Sequence, residues 1–139
     1  MSLLNKIHHI NLLVCDLEAA VERYRAAFGI EEFLWGELAE RGVRTARFRV
    51  GESWVVLVQP TDPDSVPGRH LAEHGEGLFL LSFGVDALDS AREHLARAAP
   101  DLALGEQRRG LEGWQVQDLD PGQFNSAQIQ LAEDPANSD

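Results

Sequence analysis

Residues 7–28 read Ile7-His8-His9-Ile10-Asn11-Leu12-Leu13-Val14-Cys15-Asp16-Leu17-Glu18-Ala19-Ala20-Val21-Glu22-Arg23-Tyr24-Arg25-Ala26-Ala27-Phe28, and a second copy of the same unit runs from Leu78 to Ala99. Adding 71 carries Val14 onto Val85, Leu17 onto Leu88, Ala20 onto Ala91, Glu22 onto Glu93 and Ala27 onto Ala98. Five identities in 22 pairs are few. The shared pattern decides the matter: an apolar strand, an acidic break, then a helix in matching phase. Such an internal repeat points to two half-domains built alike. Position 9 is His, whereas its mate at 80 is Leu. That mismatch bears on chemistry.

The first unit alternates from Lys6 to Val14, as a strand does. Asp16 is placed to cap a helix from Leu17 to Phe28, and Gly29 to end it. Leu17, Ala20, Val21, Tyr24 and Phe28 give that helix one apolar face. Strands follow at Glu32–Glu40, Val43–Val50 and Trp54–Gln59, separated by Arg41-Gly42 and Gly51-Glu52. The order βαβββ then recurs, with a strand at Leu78–Val85, a helix at Asp86–Ala98, and strands near Ala103–Gln107, Trp114–Leu119 and Ala127–Ala132. A turn-rich connector, with room for a short helix at Gly68–His74, joins the halves. The expected organisation is one domain: module one over 6–60, connector 61–77, module two over 78–132 and a polar tail over 133–139. The fold class is α+β, with eight strands in a cup-like mixed sheet.

A chain of 139 residues can bury a core without staples. Cys15 is the only cysteine, which excludes an intramolecular disulfide and a cysteine metal cluster. Twelve basic against 23 acidic residues leave a net charge of −11, the wrong sign for a nucleic-acid partner. No apolar run, Leu78–Leu81 included, is long enough to span a bilayer, and Met1–Leu4 lacks a basic segment leading into an apolar one. The expectation is a cytoplasmic protein without nucleic-acid or membrane partners.

Paired βαβββ modules resemble the vicinal oxygen chelate superfamily of glyoxalases, extradiol dioxygenases and bleomycin-resistance proteins. The local words are most similar to its methylmalonyl-CoA epimerase branch: Ile7-His8-His9-Ile10, Asp16-Leu17-Glu18-Ala19-Ala20, Glu40-Arg41-Gly42-Val43, Gly75-Glu76-Gly77-Leu78 and Asp120-Pro121. The resemblance covers Lys6 to Glu133. Metal-dependent members draw one ligand from each of four strands, and by position those ligands fall on His9, Val56, Leu80 and Gln130. Only His9 keeps its ligand character. Val56 and Leu80 are hydrocarbon, and Gln130 offers a neutral amide to a hard cation. No cofactor and no divalent metal are therefore expected. The resemblance also makes Glu40 an acid/base candidate beside His9, and it implies a homodimer, which would cover exposed sheet edges.

The remaining candidates come from alternation along strands. Ile7, His9, Asn11 and Leu13 share one face; an imidazole there can donate a hydrogen bond or accept a proton. Thr45, Arg47 and Arg49 share a face opposite Ala46, Phe48 and Val50. The two arginines either hold a carboxylate or phosphate, or reach solvent at the rim. Trp54 falls on the face of Val56 and can wall a pocket, and Ser82 on that of Leu80. Gln115 and Gln117 on one strand, with Gln128 and Gln130 on the next, can line a neutral polar pocket. His70 and His74 stand four apart, the spacing of a zinc pair, but no third ligand accompanies them. The ligand-binding set is Asn11, Arg47, Trp54, Ser82, Gln115, Gln128 and Gln130, and the catalytic pair His9 and Glu40. The expected activity is small-molecule binding at a degenerate metal site. The alternatives are a metal-independent epimerase or lyase of an acyl-CoA or similar acid, and a sequestering protein of the bleomycin-resistance kind. Arginines in the pocket favour an anionic ligand; arginines in solvent favour a cationic one.

Overall fold

The computed structural model describes residues 2–135. Part of the expected polar tail, residues 136–139, lies outside them. Two compact units divide the chain: His9–Phe79, and residues 2–8 with 80–135. The eight strands carry the hydrogen-bonding order β2-β3-β4-β1-β5-β8-β7-β6. These are β1 (Lys6–Leu13), β2 (Leu34–Leu38), β3 (Val43–Val50), β4 (Ser53–Pro60), β5 (Gly77–Gly84), β6 (Leu104–Arg109), β7 (Gln115–Leu119) and β8 (Ile129–Glu133). The helices are α1 (Leu17–Phe28), α2 (Val66–His74) and α3 (Leu88–Ala98). The repeated βαβββ order expected from the sequence is present. Among the described residues, no helix is long and apolar enough to cross a membrane.

In the His9–Phe79 unit, β4 runs parallel to β1 and antiparallel to β3, which pairs antiparallel with β2. Asp16 caps α1, its carboxylate accepting from the Ala19 amide at 3.1 Å, and Gly29 ends it at φ 66. Leu17 and Val21 pack with Ala46, Phe48, Leu57 and Phe33 on the helix-covered face of the sheet. Phe28, expected on that apolar face, is exposed at the helix end. The strand expected over Glu32–Glu40 is shorter: Ala39–Arg41 closes a 3-10 turn, and Gly42 follows at φ 66, a conformation that favours glycine. α2 begins earlier than expected because Ser65 caps it and Pro67 fits its first turn.

In the other unit, β5 pairs parallel with β8, and β7 pairs antiparallel with β8 and β6. Leu88 and Ala91 of α3 pack with Val85, Leu119 and Leu131. α3 has no side-chain cap of its own. The Leu88 amide instead donates to the Glu133 carboxylate on β8 at 2.6 Å. The Leu17 amide of α1 donates in the same way to the Gln59 side chain on β4 at 2.9 Å. The strand registers show how the repeat continues. Ala46 pairs with Leu57 on β4, and its mate Gln117 with Leu131 on β8, so the offset grows from 71 to 74 across the β7–β8 connection. Gln59 and Glu133 are thus mates as well, and the two helices start on the same device.

Candidate functional site

Register sets three rows of side chains on the face of module one that α1 leaves uncovered. His9 lies beside Trp54, and Trp54 beside Arg49. Asn11 lies beside Val56, and Val56 beside Arg47. Leu13 lies beside Val58, and Val58 beside Thr45. Period-two alternation makes this face, while Leu12, Val55, Leu57, Ala46 and Phe48 turn toward α1.

This face is buried and polar at once. Arg47 is only 3% exposed, and its guanidinium carbon sits 4.8 Å from the centre of the Trp54 ring. Arg49 is exposed, yet it stacks on the same indole at 4.6 Å and donates to the Gly51 carbonyl at 3.2 Å. The two arginines therefore do not share one fate: Arg47 is interior and Arg49 lies at the rim. Both are favourably placed on the electron-rich ring face. Thr45 and His9 are buried. The Thr45 hydroxyl and the Asn11 side-chain oxygen are enclosed with no hydrogen-bond partner among the described residues. Buried polar atoms of this kind ordinarily find partners, so two on one face call for a ligand or ordered water. The surface can donate from a guanidinium and a hydroxyl, and it holds an imidazole able to move a proton. Glu40 stands apart from these rows, exposed on the 3-10 turn before β3.

Module two presents a different set on the corresponding face. Ser82 pairs in register with Gln130, and Gln130 with Asp118. The Gln130 amide donates to the Asp118 carboxylate at 3.0 Å, and Arg108 donates to both oxygens of that carboxylate at 3.2 and 3.0 Å. The Ser82 hydroxyl and the Gln130 carbonyl oxygen are buried without a hydrogen-bond partner among the described residues. Gln115 and Gln117 do not join them. They alternate onto the α3 side, where Gln117 pairs in register with Leu131 and donates to the Gly105 carbonyl. Gln128 precedes β8 and lends its carbonyl to the Leu81 amide at 3.0 Å. The reason is strand parity: Asp118 and Gln130, rather than the odd-numbered glutamines of β7, share a face.

Two further features carried no sequence signal of their own. Asp118 is one; adding 71 to Arg47 reaches it. The other is His8, buried and edge-on to Trp114 at 4.6 Å, with Nε2 at 2.8 Å from the Asp134 carboxylate. Burial works to raise the Asp134 pKa, but hydrogen bonds to His8 and Lys6 outweigh it and hold the carboxyl below its ordinary value.

The positions that carry ligands in metal-dependent relatives hold one imidazole, His9, in module one and one amide, Gln130, in module two. Val56 and Leu80 pack as buried hydrocarbon. Among the described residues, no three His, Cys, Asp or Glu side chains cluster to hold a metal.

The model of the Glyoxalase/Bleomycin resistance protein/Dioxygenase superfamily matches residues 8–117. An ethylmalonyl-CoA/methylmalonyl-CoA epimerase of Cereibacter sphaeroides is 27% identical over 131 residues, 93% of this chain and 98% of its own. A point variant of Streptomyces coelicolor methylmalonyl-CoA epimerase, solved with 2-nitronate-propionyl-CoA, superposes with a TM-score of 0.88 at 32% identity, covering 96% of this chain and 99% of that one. A methylmalonyl-CoA epimerase solved with methylmalonyl-CoA and NH4+ also scores 0.88 at 32% identity, with 96% of each chain covered. This last finding corrects the expectation of no cofactor and no divalent metal. A similar enzyme holds a cation together with its acyl-CoA, so hydrocarbon at two family positions does not support that expectation.

Proposed function

Because the chain belongs to the Glyoxalase/Bleomycin resistance protein/Dioxygenase superfamily, we propose that it binds a small carboxylic acid of the malonyl-thioester type and epimerises it. The observation that carries this reading is Arg47, interior beside Trp54 on the same face as His9, Asn11 and Thr45. A guanidinium in such surroundings recognises a carboxylate through charge-assisted hydrogen bonds. Asn11 and Thr45 orient the remainder of the acid. Epimerisation needs a proton taken from the carbon between two carbonyls and returned to its other face. His9 is the base on the face itself, and Glu40 is the acid/base candidate that the epimerase resemblance supplies.

The test is incubation with methylmalonyl-CoA in deuterated water, with and without added divalent cation, followed by mass spectrometry of the acyl group. One deuteron gained at C2, lost in either His9→Ala or Glu40→Gln, supports the reading and identifies the base. Binding without exchange would leave a sequestering protein. Neither binding nor exchange would overturn the proposal. We also read the chain as a homodimer, because β2 ends the strand order and exposes Leu34 and Trp35. Sedimentation as a monomer at micromolar concentration would contradict that.

A further inference from the structure

The internal repeat allows one module to serve as the control for the other. Between α1 and its sheet, module one packs three rings: Tyr24 and Phe33 lie 5.8 and 5.5 Å from Phe48, centre to centre. Their mates in module two are Leu95, Leu104 and Leu119. Phe83 in place of Leu12 restores only part of the lost volume. The connection before β8 is longer by three residues, the growth in offset from 71 to 74. Its Phe124, Asn125 and Ala127 stand as a wall where module one has only the tight turn at Gly51-Glu52. The outcome is a cleft of about 520 Å³ on the α3 side of module two, floored by Phe83, Leu95, Leu119, Ile129 and Leu131. It shares no residue with the His9–Arg47 face.

We propose that this cleft is a binding site for a neutral apolar molecule, an alkyl chain with one hydrogen-bonding end. Its volume falls in the range of small-molecule pockets, and its floor is hydrocarbon. Apolar cavities stay dry and take up apolar guests. Polarity is confined to Ser2, His94 and Asn125, all exposed. No lysine or arginine is among the described residues that line it, in contrast to the face bearing Arg47. A carboxylate end group would therefore enter without a fixed cation, in a chain whose net charge is −11. A hydroxyl end group would not be penalised in this way.

The probe is 1-octanol, with octanoate as its charged counterpart, titrated into the full chain and followed by methyl proton–carbon NMR. Octanol is expected to shift the methyl signals of Leu95, Leu119, Ile129 and Leu131 saturably, and to bind at least tenfold more tightly than octanoate. Leu119→Phe installs the ring that module one carries at Phe48. It should weaken octanol at least tenfold without lowering the melting temperature, since the ring enters empty space. Ala127→Trp, at the exposed mouth, should weaken octanol equally without touching the core. Methylmalonyl-CoA should not compete with octanol, so the outcome is independent of the proposed epimerase site. The absence of saturable shifts, equal affinity for octanoate, or full octanol affinity in Ala127→Trp would each overturn the proposal. So would a melting temperature depressed by Leu119→Phe.

Discussion

Replacing Arg47 by methionine separates a binding arginine from a structural one. Its side chain is interior, and its guanidinium lies 4.8 Å from the Trp54 ring centre. Methionine keeps an unbranched stem of similar reach and a polarizable group against the indole, so packing is largely retained. Removing a buried charge also removes its desolvation cost. The melting temperature of Arg47→Met should therefore stay within a few degrees of the parent. Binding should behave otherwise. A hydrogen bond to a charged group contributes about 1.5–3 kcal/mol. At about 1.4 kcal/mol per tenfold, losing one such bond weakens binding roughly 10- to 150-fold. The assay is isothermal titration with two ligands, methylmalonyl-CoA and propionyl-CoA, which differ by the free carboxylate. The loss should fall on methylmalonyl-CoA alone. An equal loss for both ligands would place Arg47 on a group that they share, such as a phosphate. No loss for either would remove Arg47 from the site. Each result refutes the assignment of Arg47 to the acid.

Three other perturbations test the scaffold. Asp16→Ala removes the cap that holds the Ala19 amide and should cost about 1 kcal/mol by urea denaturation. Gly68→Ala would drive a methyl group into the Asp62 carbonyl and the Pro63 backbone, at a cost of about 1–3 kcal/mol on the same measurement. The His70 pKa lies below its ordinary value of 6.5, chiefly through burial and secondarily through His74. The unfolded chain thus takes up this proton first as pH falls, so His70 destabilises the fold progressively below about pH 6.5. His70→Phe should flatten the fall in melting temperature between neutral pH and pH 5; an unchanged slope would refute the contribution.

The repeat made the fold legible because its conserved positions are structural ones. Leu17 and Leu88, or Ala20 and Ala91, keep the same role in each module and therefore the same character. Element ends were less legible. Glu40 lies in a 3-10 turn because Gly42 adopts a left-handed conformation, which no alternation pattern reveals. The facing of side chains was legible where one strand decides it, as for His9 with Asn11 and Arg47 with Thr45. It was misread where two strands had to be placed in phase. Four glutamines on neighbouring strands suggested one pocket. The register of β7 on β8 instead sets Gln115 and Gln117 opposite Glu133 and Leu131, toward α3. A one-residue difference in phase moves a strand's whole set of side chains to the other face.

That phase, once known, shows where the two copies have diverged. On the helix sides, some mates keep their function: Gln59 and Glu133 each accept the first amide of a helix. On the other faces they do not. His9 faces the same way in its module as Leu80 does in its own, Asn11 as Ser82, Val56 as Gln130, and Arg47 as Asp118. The last pair differs by two charges. Arg47 lies buried against an indole, whereas the Asp118 carboxylate is bound by Arg108 and Gln130. Packing alone would favour similar residues at mated positions, because both modules must close the same helix on the same sheet. On those faces the divergence extends to opposite charge, as at Arg47 and Asp118. Arg47 is one of the positions where the two copies carry opposite charge, and it is the residue whose loss should separate a carboxylate ligand from a neutral one.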